Sequence, residues 1–278
     1  MEIYIQSNYW GTRVMFMAIY EIMEMVKRKI TEKTSHTYLQ KHLSNPILDD
    51  NKLLLTVTLL SEAKLNKTDI ITYATTITLI QIALDTHELI TNERMHSGNE
   101  TKRQLTVLAG DLYSGQYYKI LAEIEDLKML KNLAEGIKEV NESKIYFYQE
   151  NTTDSSQLMS SLINIEASLL RKVTNYFHLE EWNGFLEDYL LLNRIELERE
   201  QFKNTGKSVM VDAFVQYEEI KQETTNGYLY ILDKYAKWAY MQLEKTMIKL
   251  PTLNLQLKES INQLLFGSRQ QQMYVEEG

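Results

Sequence analysis

Asp85, His87, Glu88 and Asp111 are the side chains of this sequence whose types and proximity suit chemistry. The first three sit in the run Asp85-Thr86-His87-Glu88, at the end of a long apolar stretch, and Asp111 lies inside a second one. Imidazole and carboxylates are ordinary metal ligands. An independent helical, metal-dependent hydrolase using His87, Asp85 and Asp111 is therefore one reading. Its spacing argues against it. Asp85 and His87 are two apart, so a helix turns them to different faces, and the other nearby histidine, His96, lies in a polar loop. The competing reading is a structural histidine, or a cap for that loop. Glu180, Glu181, Glu187 and Asp188 read as a solvated helix face. No P-loop, nucleophile elbow or dinucleotide glycine pattern is present. The chain has no cysteine, which excludes disulfides and thiolate metal sites.

The elements that would carry these groups are two apolar helices between Thr68 and Ala122. The first holds Ile70, Ile71, Ala74, Ile77, Leu79, Ile80, Ile82 and Leu84; the second holds Leu105, Val107, Leu108, Ala109, Leu112, Tyr113, Ile120 and Leu121. A helix apolar nearly all round is a buried one. Around them stand 278 residues with only 2 prolines and 10 glycines, too few for the turns a sheet-rich fold requires. The expectation is an all-α, single-domain bundle of roughly ten helices. It comprises a loose segment at 1–10, a helical domain at 11–266 and a polar tail at 267–278. A formal net charge of -8 favours neither nucleic acid nor an anionic membrane as partner, since both need clustered positive charge. No apolar run is long enough to span a bilayer, so a cytoplasmic location is expected.

In chain order, Met15, Ile19, Ile22, Met23 and Val26 place a helix from about Gly11 to Ile30. Ser35 is the expected N-cap of a short piece ending before Pro46. Asp49, Asp50 and Asn51 open a helix with the stripe Leu53, Leu54, Val57, Leu60 and Ala63. Thr68 is the expected cap of the first central helix, with Asp69 placed for its dipole. A polar turn spans Thr91 to Thr101. Gly110 and Gly115 interrupt the second central helix at roughly 1 kcal/mol each against Ala, which close packing of a neighbouring helix would explain. Leu127, Leu130, Ala134, Ile137 and Val140 mark the next helix, and Asn151 to Ser156 a break. Gln157 to Phe177 and then Trp182 to Thr205-Gly206 are helical. Val209 to Leu250 follows, broken near Asn226-Gly227 and ended by Pro251, then Leu253 to Phe266. The 18 tyrosines, at helical spacing among Leu and Ile, read as core and interface residues.

Leu108-Ala109-Gly110-Asp111-Leu112 resembles the helix of trans-prenyl diphosphate synthases that reads LxGDxL. The helix ending Asp85-Thr86-His87-Glu88 resembles the one carrying their first DDxxD motif, and Ile165-Glu166-Ala167-Ser168-Leu169 resembles their KTASL stretch. With Gly115-Gln116-Tyr117-Tyr118-Lys119, the sequence most resembles the small regulatory component of two-component heptaprenyl diphosphate synthases, from about Met15 to Phe266. That resemblance implies the isoprenoid-synthase fold, a role in menaquinone side-chain synthesis and a catalytic large subunit as partner.

The departures from the family pattern shape what the resemblance implies. Active synthases hold Mg²⁺ and the allylic diphosphate with DDxxD carboxylates. Here the first motif is degenerate, reading Glu88-Leu89-Ile90-Thr91-Asn92; the basic loop after it retains Arg94 alone; the KTASL lysine is matched by Ile165. The second motif region reads Glu198-Arg199-Glu200-Gln201-Phe202-Lys203. The resemblance therefore implies a prenyltransferase subunit inactive without its partner, binding no cofactor itself, with Mg²⁺ on the partner. In that family the growing chain runs beside the first-motif helix. Ile77, Ile80, Gln81 and Leu84, on one face upstream of Glu88, are the implied product-tunnel residues, in contact with the prenyl chain.

Overall fold

The structure is a computed structural model that describes residues 19–90, 100–148, 154–217, 225–250 and 253–264. Segments 1–10 and 267–278, Met15, Asn92, Arg94, His96 and Pro251 lie outside the described residues. All regular structure among the described residues is helical, with no strand. Its α-helices are α1 (19–34), α2 (Thr37–Gln40), α3 (Asp50–Glu62), α4 (Lys67–Glu88), α5 (Glu100–Glu123), α6 (Leu127–Phe147), α7 (Ser155–Tyr176), α8 (Asn183–Thr205), α9 (Val209–Phe214), α10 (Thr225–Met247) and α11 (255–264). Short 3₁₀ turns precede α8 and follow α9. No described helix is long and apolar enough to cross a membrane. The chain divides into two compact units, Met1–Ile137 and Lys138–Gly278.

In the first unit α4 packs along α5 and against α3. α4 is apolar nearly all round and correspondingly buried. It also buries several threonines, whose hydroxyls would be costly without partners. Each bonds to the preceding turn: Thr75 Oγ1 donates to the Ile71 carbonyl at 2.6 Å, Thr76 to Thr72 at 2.9 Å and Thr86 to Ile82 at 2.6 Å. Tyr73 donates its phenol to Asp126 at 2.6 Å, and the other Asp126 oxygen accepts from the Met129 amide at the start of α6. One carboxylate thus fixes α4 to the α5–α6 junction.

Several sequence expectations shift locally. α1 runs on to residue 34, with Thr34 bonding back to the Ile30 carbonyl. Asn66, not Thr68, caps α4: its backbone is extended and its side chain accepts from the Asp69 amide. His36 rather than Ser35 stands at the N-cap of α2, without a side-chain cap bond, while Ser35 accepts from Gln40. α3 is not striped; Leu53 through Leu60 are all buried. On α6 the buried hydrophobic positions are Met129, Leu133, Val140 and Phe147, whereas Leu127 and Ala134 are exposed.

In the second unit α8 packs against α7 and α10. Asp154 caps α7, Ser208 caps α9, and Gly206 ends α8 in the left-handed conformation. Tyr189, fully buried on α8, shares a 2.7 Å hydrogen bond with Ser260. The expected break at Asn226-Gly227 falls instead inside the first turn of α10; the chain leaves α9 through the turn Val215–Tyr217. A glycine near a helix start is tolerated because that turn has few intrahelical bonds to lose.

Candidate functional site

The C-terminal half of α4 presents two rows. Ile77, Ile80 and Leu84 are buried, Ile80 fully so at 1% exposure. Gln81 is half-buried on their shoulder and donates to the exposed Asp85 carboxylate at 2.9 Å. His87 and Glu88 are half-buried in the last turn.

Across from them, α5 places Gly110 directly under the His87 ring. A Cβ at position 110 would stand 2.5 Å from Cε1, so the imidazole occupies the room a side chain would take. His87 Nε2 lies 3.8 Å from Asp111 Oδ1. The structure thus joins His87, Gly110 and Asp111, while Asp85 is held by Gln81. Among the described residues no three His, Asp or Glu side chains are grouped to hold a metal.

Gly115 differs from Gly110. It is exposed, and among the described residues an added Cβ would meet nothing within 4 Å, so no described helix explains it. Leu108, Asp111, Gly115 and Tyr118 recur every three or four residues on the same exposed face of α5. Tyr117, beside that face, is buried and stacks on Tyr118 with ring centroids 4.4 Å apart. Burial raises the Tyr117 phenol well above its ordinary pKa, with the Tyr118 hydrogen bond adding to the shift. Leu108 and Tyr118 therefore correct the expectation of a helix buried all round.

The second unit holds a buried ionic group that the sequence did not disclose. Arg194 Nη1 donates to Glu166 Oε1 at 3.1 Å, and its Nε and Nη2 donate to Glu198 Oε1 at 2.9 and 2.7 Å. The other Glu198 oxygen accepts from Ser208 Oγ at 2.6 Å. Glu166 belongs to the Ile165–Leu169 stretch and Glu198 to the second motif region, and the Glu198 side chain is only 4% exposed. Next to it, Arg199 pairs with both oxygens of Glu196 and with Asp233. Mg²⁺ requires several oxygens converging with room for water. Two glutamates with a guanidinium between them are not such a set, so the donors here do not fit the ion. The sequence did offer a signal, namely a Glu inside the apolar face of α7 and an Arg–Glu pair at i, i+4 on α8.

Glu187 and Asp188 are not a solvated face. Glu187 accepts from Arg171 at 2.9 Å and Asp188 from Thr246 at 2.8 Å, both half-buried; Glu180 and Glu181 are exposed as expected. A cleft of about 600 Å³ between α6 and α7 is lined by Glu139, Glu142, Asn164, Arg171 and Lys172 among others. That polar lining does not suit a hydrocarbon chain.

Residues 36–245 match the family model described as heptaprenyl diphosphate synthase (HEPPP synthase) subunit 1. Heptaprenyl diphosphate synthase component 1 of Geobacillus stearothermophilus is 38% identical over 138 residues, 50% of this chain and 61% of that protein. The match thus spans less than two thirds of that relative. A decaprenyl diphosphate synthase from Rhodobacter capsulatus superposes with a TM-score of 0.66 at 14% identity, covering 93% of this chain and 99% of that one. An octaprenyl pyrophosphate synthase from Helicobacter pylori gives 0.63 at 15% identity, covering 90% and 99%. These likenesses establish the all-α isoprenyl diphosphate synthase fold. With the family model matched over well more than half of its length, this chain belongs to the heptaprenyl diphosphate synthase subunit 1 family.

Proposed function

We propose that this chain is the non-catalytic, regulatory subunit of a heteromeric long-chain prenyl diphosphate synthase of the heptaprenyl type. It works in the cytoplasm, in making the menaquinone side chain. Its partner is a catalytic large subunit that carries both DDxxD motifs and binds Mg²⁺, the allylic primer and isopentenyl diphosphate. This chain binds no cofactor of its own, stabilises that partner and helps set product length.

The observation that carries the reading is the engagement of Glu198. Where an active synthase needs free carboxylates, this side chain is buried and bonded to Arg194 and Ser208. The scaffold is kept while acids of that region serve packing. The exposed face of α5 supports pairing with a second chain, since Leu108 and Tyr118 lie bare beside Gly115. A pair held through such a surface would bury on the order of 2,000 Å² or more.

The test is prenyl transfer with Mg²⁺, primer and isopentenyl diphosphate. The isolated chain should give no transfer, the catalytic subunit should be poorly active alone, and the mixture should turn over. Turnover by this chain alone at the rate of the pair would overturn the reading.

A further inference from the structure

α10 packs its inner face, Leu232, Ala236, Ala239 and Leu243, into the second unit, with α8 as its main neighbour. Its outer face sets lysines among large apolar and aromatic side chains. Tyr230, Lys234, Lys237, Met241, Lys245 and, just past its end, Ile248 recur at spacings of three and four and are all exposed. Trp238 flanks the row at 42% exposure, and Ile248 is 85% exposed. Lys249, also exposed, follows Ile248. The acids at the other flank are engaged: Asp233 accepts from Arg199, and Glu244 from the Tyr240 phenol.

We infer that this outer face of α10 seats the protein on an anionic phospholipid surface. Lysine alternating with large apolar and aromatic side chains decides between a lipid and a protein occupant. The core of a protein–protein interface is depleted in lysine. At a bilayer surface lysine extends its ammonium to the headgroups while its stem lies along the apolar region. Trp and Tyr favour the same depth. The net charge of -8 opposes this seating at long range. Screening confines electrostatics to about 8 Å at physiological ionic strength, so the lysines nearest the lipid dominate. Such a surface would hold a prenyl-synthase subunit beside the phase in which a long isoprenoid dissolves. The docking itself rests on the α10 face alone, independent of the proposed role in prenyl transfer.

The test is sedimentation of the full chain with vesicles of phosphatidylcholine alone, or mixed with an equal amount of phosphatidylglycerol. Binding should require phosphatidylglycerol and weaken as salt is raised. The triple variant K234Q/K237Q/K245Q should lower partitioning roughly 100-fold, at about one kcal/mol for each lysine near the surface. The double variant W238A/M241A, which keeps the charge, should lower it at least about tenfold. Circular dichroism establishes that each variant is folded. Absence of binding to the mixed vesicles, or binding that neither variant weakens, would overturn the inference. So would loss of assembly with the catalytic subunit in lipid-free buffer, which would place this face in a protein interface.

Discussion

The imidazole of His87 occupies the volume that a side chain at position 110 would need, 2.5 Å from the Cβ site to Cε1. Gly110 is therefore kept by its neighbour's ring and not by helix preference. Alanine there gains roughly 1 kcal/mol of helix propensity but must drive the ring off α5 and away from Asp111. G110A should therefore gain less than that amount in the natural background and the full amount in H87A. Urea denaturation of the four proteins in the cycle should give a coupling of at least about 0.5 kcal/mol. Strict additivity would remove the link between the two residues.

Gly115 should behave in the opposite way. An added Cβ meets nothing within 4 Å, so G115A should stabilise the isolated chain by about 1 kcal/mol. If another subunit's helix approaches this face closely, the same methyl group should weaken the pair, as should L108E and Y118E. Thermal melts of the isolated chain and titration calorimetry of the pair separate the two effects. A G115A variant that pairs as tightly as the natural chain would move the contact elsewhere.

Arg194 holds two buried glutamates together. R194M leaves them without their cation and should cost about 3–5 kcal/mol. The triple change E166Q/R194M/E198Q removes the charges as well and should recover most of that loss. Urea midpoints measure both. If R194M alone were neutral, the carboxylates would not depend on the guanidinium.

What the sequence disclosed, and what it did not, follows from the range of the interactions. α4 was legible because its apolar residues are so dense that burial follows whichever face turns inward. α6 was legible only in part: of the expected row Leu127, Leu130, Ala134, Ile137 and Val140 only Val140 is buried, while Met129 and Leu133 of a neighbouring row are buried instead, and only packing selects between the two rows. Asn66 and Thr68 are both good caps, and the backbone chose the earlier. In the site, the residues that the resemblance singled out fall on α4, α5, α7 and α8. Glu166 in an apolar face and the Arg194–Glu198 pair were each legible locally, but the join between Glu166 and Arg194 stayed hidden because it links residues far apart in sequence.

Asp188 makes a pH prediction. Burial pushes its carboxyl above the ordinary value of 3.8; the Thr246 hydrogen bond opposes this and the Glu187 charge adds to it. A carboxyl raised in the folded state binds its proton more tightly there than when unfolded. Its contribution to stability is therefore complete below the unfolded pKa and is lost as pH rises through the folded one. D188N keeps an oxygen to accept from Thr246 without the charge. It should be more stable than the natural protein at pH near 7, with the advantage shrinking as the pH falls toward 4. An advantage that stayed constant over that range in urea denaturation would mean that Asp188 ionisation does not contribute.

The last prediction concerns Ile77, Ile80 and Leu84, the buried row of α4 upstream of Glu88. If this row closes the end of a tunnel for the growing prenyl chain, its volume limits elongation in the assembled pair. I80A and L84A should then lengthen the product, at a stability cost of about 2–5 kcal/mol, because each truncates a buried side chain. I77F and I80F should shorten it, at roughly 1–3 kcal/mol for overpacking. Gln81 is the internal control: half-buried and tied to Asp85, it lies at the shoulder of the row, so Q81A should have a smaller effect than I80A. Each variant is first checked for folding by circular dichroism and for pairing by sizing chromatography. Reversed-phase chromatography of the products from the reconstituted enzyme then reads chain length. Opposite shifts for the alanine and phenylalanine variants at Ile80 are the expected signature, since a general loss of stability would move both in the same direction. Folded, paired variants that all return the natural product distribution would take this row out of the tunnel and leave α4 a purely structural helix.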